Sequence, residues 1–235
     1  MEGPEKSGGL PRRLHLLLLA LLFALLAVPG WGVGTAAATP LSRTTSIAAA
    51  RGLPLGTVVS VEGSVTTPSG AFESSFFDKG FGLQDRTAGI YVSPPTDPHA
   101  IPYQRARVTG TLQDRAGLLT IVPADRSGVE LGVQGHPVRP QRVRTGEVGE
   151  ATEGRLIRVA GTITQAPTSD LPYGYKLSVD DGSGVVLIFV NVPTGIDVSR
   201  LALGDAVRVT GFSSRFGTHD EIDPRWPHDI EVVRK

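Results

Sequence analysis

The chain has 235 residues, no cysteine, and 23 basic against 23 acidic side chains. Without cysteine there is no disulfide, no thiolate metal site, no thiol nucleophile and no lipid attached through sulfur. The charge balance argues against a chain that grips duplex nucleic acid mainly by neutralising phosphates, which would be clearly basic, but it leaves room for a local basic groove.

At the N-terminus, Arg12 and Arg13 precede an uncharged apolar run from Leu14 to Val28, and "AAATP" from Ala36 to Pro40 supplies small residues of the kind signal peptidase accepts. This reads as a signal peptide over residues 1–38, cut after Ala38. Pro29, Gly30, Gly32 and Gly34 break the run before it reaches the ~20 apolar residues of a membrane span. The expected product is exported, to the periplasm, the cell surface or the medium, with no membrane insertion after cleavage; an uncleaved anchor is the alternative. Losing this segment removes Glu2, Glu5, Lys6, Arg12 and Arg13, so the mature chain stays almost neutral. Residues 39–52 form an Ala/Thr/Ser-rich lead-in, weakly helical around Ile47 to Arg51.

From there the chain repeats itself. "VVSVEGSVT" (Val58 to Thr66) is answered by "LIRVAGTIT" (Leu156 to Thr164), and "FGLQDRTAGIYV" (Phe81 to Val92) by "LSVDDGSGVVLIFV" (Leu177 to Val190). "ARVTG" (Ala106 to Gly110) returns as "VRVTG" (Val207 to Gly211), and Gly117 and Ile121 return as Gly217 and Ile222. Landmarks in one order at a near-constant offset read as a tandem duplication. Alternating apolar residues between Gly, Pro, Asp and Ser clusters predict strands near 57–66, 76–84, 88–93, 105–113, 117–122 and 128–133 in the first copy. The second copy gives 155–165, 173–180, 184–190, 205–213, 219–223 and 229–233. Between third and fourth strands the first copy is too rich in proline for a helix; the second fits one over Val198 to Leu203, capped by Asp197 and closed by Gly204. Residues 136–150, with two prolines and three arginines before the first acid, read as a connector.

Five strands with the insert between the third and fourth is the order of a small Greek-key barrel. Together with the "G-D-x-V-x-V-x-G…G…I" ending, seen as "LGDAVRVTGFSSRFGTHDEI" (Leu203 to Ile222), it resembles the OB-fold, in particular the bacterial OB-type nucleic-acid-binding domains of secreted proteins. The first copy departs from the pattern with "YQRARVTG". The expected architecture is all-β, two tandem five-stranded barrels over 53–135 and 151–235, each folding by itself. In the repeated phrase, Val108 and Val209 are expected to point inward, Arg107 and Arg208 outward, and Gly110 and Gly211 to permit the bend that closes each barrel.

The resemblance implies a ligand laid across strands two and three, framed by the loops joining strands one to two and four to five. Single-stranded nucleic acid is held there by aromatic stacking and a basic track. The candidate residues are Phe72, Tyr91, Arg105, Arg107 and Arg115 in the first copy, and Tyr173, Tyr175, Lys176, Arg208, Arg215 and Phe216 in the second. Phe77 and Phe81 are read as barrel filling. "THDEIDPRWPHD" (Thr218 to Asp229) concentrates His and carboxylate side chains but lacks metal-site spacing, so it is read as solvated charge with neither metal nor cofactor. There is no G-x-S-x-G motif or phosphate-binding loop, and the Asp180–Asp181 pair belongs to a hairpin turn, so no catalytic residue is assigned. The expected function is a non-catalytic binding protein for single-stranded nucleic acid or a similar polyanion, with a protein or oligosaccharide partner as the alternative. Acidic neighbours covering Arg105, Arg107 and Arg115 would favour the latter.

Overall fold

The computed structural model describes residues 43–233, so the signal-peptide reading of residues 1–38 lies outside the described residues. Six strands form the first sheet: β1 (Val58–Val65), β2 (Phe81–Gln84), β3 (Gly89–Val92), β4 (Gln104–Arg115), β5 (Leu118–Val122) and β6 (Val129–Gln134). Seven form the second: β7 (Gln141–Arg142), β8 (Leu156–Asp170), β9 (Gly174–Asp180), β10 (Val185–Asn191), β11 (Ala206–Phe216), β12 (His219–Asp223) and β13 (Ile230–Val232). In the first, the order β1-β2-β3-β5-β4 closes because β1 also pairs with β4; in the second, β8-β9-β10-β12-β11 closes because β11 pairs with β8. β3 with β5 and β10 with β12 are the parallel contacts that complete each ring.

The period-two pattern explains which residues fill each barrel. Along β4, Ala106, Val108, Gly110 and Leu112 face inward and are buried, whereas Arg105 is exposed and Arg107 half-buried. Along β11, Val207 and Val209 enter the core and Arg208 stays outside. Past Val209 the alternation stops, and Thr210 to Ser214 are all buried because both faces of β11 are covered there. Gly110 and Gly211 lie where a neighbouring segment crosses closely. A Cβ on Gly110 would come within 2.7 Å of Pro123 N, and one on Gly211 within 2.6 Å of the Asp223 carbonyl.

Four expectations need correcting. The lead-in is part of the first barrel: α1 (Ile47–Arg51) buries Ile47 and Ala50 in its core. So short a helix is marginal alone; here the Ser46 side chain caps it, and the Asp85 carboxylate accepts from Ile47 N at 2.9 Å. The connector likewise belongs to the second barrel, where β7 adds to β8 and Val143 and Val148 pack on the core. Over Val198 to Leu203 no helix forms. Ile196, Val198 and Leu201 are drawn instead into the barrel's open end. The second strand also starts at Phe81 rather than 76, because Glu73–Phe76 makes a single helical turn, α2.

The two rings share an apolar wall, and the described residues fall in one compact unit. Phe72, Tyr91 and Leu118 of the first barrel meet Phe212 of the second, with Phe212 ring centroids 5.9 Å from Phe72 and 5.8 Å from Tyr91. Backbones approach so closely that a Cβ on Gly89 would lie 1.9 Å from the Gly154 carbonyl oxygen. Polar contacts cross the wall as well. Arg225, paired with Asp229, donates to the Thr66 carbonyl at 2.8 Å, and Asn191 Oδ1 accepts from Ser74 Oγ at 2.8 Å and Ser75 Oγ at 2.6 Å. The expectation of separately folding barrels rested on a connector with little to bury; the burial lies instead between the barrel faces.

Candidate nucleic-acid interface

In each ring the face expected to take a ligand is the outer side of strands two and three. In the first barrel that face is occupied. The outward residue of β3, Tyr91, is 1% exposed under Phe212 and donates its hydroxyl to Asp78 at 2.8 Å. Its ionisation is pushed well above the ordinary tyrosine range by burial, with the Asp78 charge acting in the same direction. Phe72, in the loop between strands one and two, is fully buried against the same ring. Neither aromatic has a face for a base to stack on, so both are corrected from ligand contacts to wall residues.

The corresponding face of the second barrel is open. Leu177 and Val179 of β9 and Val186, Ile188 and Val190 of β10 point into the core, which turns Lys176, Leu187 and Phe189 outward, with Glu221 of β12 beside them. These four form the floor of a cleft of about 350 Å³. Its rim is aromatic: Tyr173 from the loop between β8 and β9, Phe216 from the β11–β12 turn, and Phe77 contributed by the first barrel. They are 41%, 53% and 76% exposed respectively, large apolar surfaces that the fold leaves facing solvent. Phe77 and Tyr173 meet edge to face with centroids 5.8 Å apart. Phe77 was expected in the core; instead it ends α2 in the left-handed region at φ 55°, an unusual conformation for a bulky residue, and its ring is delivered to the rim.

Tyr175, two residues after Tyr173, does not reach this cleft. On β9 it has the inward parity, and it packs over the barrel's open end beside Ile196, Val198 and Leu201. Lys176 does reach it, with its ammonium 5.7 Å from the Phe189 centroid and paired with Asp170 at 2.7 Å.

The predicted arginines do not make a basic track. Arg107 pairs with Glu62 at 3.1 Å and faces Glu130 across the strand register. Arg115 pairs with Asp78 at 3.3 Å, Arg208 with Glu231 at 2.8 Å, and Arg215 with Asp220 at 2.9 Å. Arg105 is exposed, beside Arg107 and Glu130 on a shallow surface formed by β1, β4 and β6 of the first barrel.

Below the rim sit two carboxylates. Glu221 is 4% exposed, and burial raises its pKa to about 7, against the opposing pull of the Lys176 charge. Asp223, fully buried on the same strand face, is raised well above the usual carboxylate range by burial and then by the Glu221 charge. Its Oδ1 accepts from the Asn191 amide at 3.3 Å. Sequence reading placed both in a solvated acidic run; the outward parity of 221 and 223 opposite inward Ile222 was the available signal.

A closed ring in the order 1-2-3-5-4, with strands three and five parallel and the cleft framed by the first and last hairpin loops, decides the fold. Both rings are OB barrels. No family model matches the chain. The chain is 27% identical over 207 residues to Endonuclease YhcR of Bacillus subtilis (strain 168), covering 83% of this chain but only 16% of that protein. Among solved structures it is similar to fission yeast Pot1 with single-stranded DNA, at 12% identity and TM-score 0.39, covering 82% of this chain and 88% of that one. It is also similar to the single-stranded DNA binding protein of Thermus aquaticus, at 13% identity and TM-score 0.27, covering 77% and 95%.

Proposed function

We propose that the chain is an exported, non-catalytic binding protein that holds single-stranded nucleic acid across β9 and β10 of its second barrel. The carrying observation is the cleft itself: three exposed rings from three separate segments surround the outer face of strands two and three. Base–aromatic stacking is worth about 1–3 kcal/mol per base and is indifferent to sequence, so such a rim suits unpaired bases. The relative named as an endonuclease supports a nucleic-acid partner. Because the chain spans so little of that protein, a binding segment beside a catalytic one fits better than catalysis here. The first barrel acts as a buttress, contributing Phe77 to the rim. Export is supported by the basic, apolar and small-residue pattern of residues 1–38.

A second reading, an envelope module binding an oligosaccharide or protein, draws on the carboxylate partners of Arg107, Arg115, Arg208 and Arg215. Binding of the purified chain to single-stranded DNA, RNA and neutral glycans at two salt concentrations separates them. Oligonucleotide binding lost on Phe216→Ala supports the first reading; glycan binding without oligonucleotide binding supports the second.

A further inference from the structure

Glu221 is the one floor group whose chemistry is not explained by packing. The residue is only 4% exposed and lines the cleft, yet among the described residues no hydrogen bond or ion pair reaches its carboxylate. A buried carboxylate without donors is costly, so its place at the base of an aromatic cleft calls for a ligand that brings them. An ionised carboxylate only accepts hydrogen bonds and has two oxygens to offer. Of the four common bases, guanine alone carries two donors on adjacent atoms of its Watson–Crick edge, N1–H and the N2 amino group. Next to them is O6, an acceptor. Lys176, a donor, lines the same floor.

We infer that the cleft reads guanine: the base stacks on the aromatic rim, N1–H and N2–H donate to the two Glu221 oxygens, and Lys176 faces O6. This deepens the nucleic-acid reading and rests on it. Other bases still stack but leave the carboxylate at least partly unanswered. A well-formed bidentate contact to a base discriminates by roughly tenfold or more, and that is the preference expected here.

The contact also has a pH dependence. The charged or titratable groups around Glu221 are Lys176 on β9, Asp170 at the end of β8, Tyr173 in the β8–β9 loop, and His219 and Asp223 on its own strand; β10 offers only Leu187 and Phe189, β11 places Ser214 opposite it, and the first barrel adds Ser75 and Phe77. With the carboxyl titrating at about 7 in the empty cleft, two-point acceptance needs the form that prevails above neutrality. Guanine preference is therefore expected to rise from mildly acidic to mildly alkaline pH.

The test is fluorescence anisotropy of the full chain with labelled oligothymidines carrying one central dG, deoxyinosine, dA or dC, above and below neutrality, for the wild type and Glu221→Gln. Deoxyinosine keeps N1–H and O6 but lacks the N2 amino group. The expected result is tightest binding with dG, a loss of about tenfold with dA or dC and an intermediate loss with deoxyinosine. The preference should collapse in Glu221→Gln, which presents one acceptor and one donor. Equal affinity for all four inserts, or a dG preference that survives Glu221→Gln, overturns the guanine reading and leaves single-strand binding standing. No binding of any oligonucleotide overturns both. A melting curve of Glu221→Gln guards the comparison, since removing a buried charge is expected to preserve or raise stability.

Discussion

Replacing Phe212 with alanine is expected to weaken both barrels together. The ring is fully buried and touches Phe72 and Tyr91 across the wall, and neither partner can follow it into the space left behind, because each is fixed to the other barrel. Phe-to-Ala changes in such surroundings cost about 3–5 kcal/mol. For a chain of this length each kcal/mol moves the melting temperature by about 2–4 °C, so the expected fall is on the order of 10 °C. Chemical denaturation followed by far-UV circular dichroism gives the free energy, and calorimetry gives the number of transitions. A single transition displaced as a whole is the expected outcome. Phe216→Ala, at a half-exposed ring, serves as the control and should stay within about 0.5 kcal/mol of the wild type. A loss under about 1 kcal/mol for Phe212→Ala, or two transitions of which one is unmoved, would refute the shared wall as a source of stability.

Other expectations follow from the same geometry. Gly89→Ala should lower the melting temperature, because its Cβ would lie 1.9 Å from the Gly154 carbonyl oxygen across the wall; unchanged melting would contradict that close approach. Arg225→Ala should cost about 3–5 kcal/mol in equilibrium denaturation, since it strands buried Asp229 and abandons the Thr66 carbonyl. Stability should fall as pH rises through the window from 4.5 to about 7, because folding raises the Glu221 pKa and the folded state holds that proton more tightly than the unfolded chain. The full effect is about 3 kcal/mol, and Glu221→Gln should flatten it in a pH series of melting temperatures. Tyr173→Ala should weaken oligonucleotide binding by roughly 1–3 kcal/mol with little change in melting, whereas Phe72→Ala should do the reverse. Binding should also depend only shallowly on salt, since the predicted arginines are held by carboxylates; a steep log–log slope would point to a phosphate track elsewhere.

Strand order and barrel closure were legible because they depend on local period-two patterning and on glycines at close crossings, both of which recur in "ARVTG" and "VRVTG". The placement of Tyr173 and Phe216 at the cleft followed from the fold's loop geometry, and that of Lys176 from its outward parity on β9. What was not legible depends on how one barrel meets the other. Phe72 and Phe77 sit five residues apart in the same Gly- and Ser-containing segment, yet the first fills the wall and the second projects into the cleft. Nothing local distinguishes them, because the partner surface comes from the second barrel, far along the chain. The one sequence trace of that wall is the uninterrupted small and apolar run from Thr210 to Ser214, where a strand exposed on one face would have alternated. The arginines misled for a similar reason: their spacing shows in the chain, but Glu62, Asp78, Asp220 and Glu231, which hold them, are brought in from neighbouring strands and loops.

The most direct test of the account is to map the contact surface by NMR, titrating the isotope-labelled chain with a short single-stranded oligonucleotide. Binding across the second barrel is expected to shift the resonances of Tyr173, Lys176, Phe189, Phe216 and Glu221 together, along with Phe77 from the first barrel, while Arg105 and Arg107 stay still. Shifts confined to β4 and β6, or no shifts at all at saturating oligonucleotide, would contradict it.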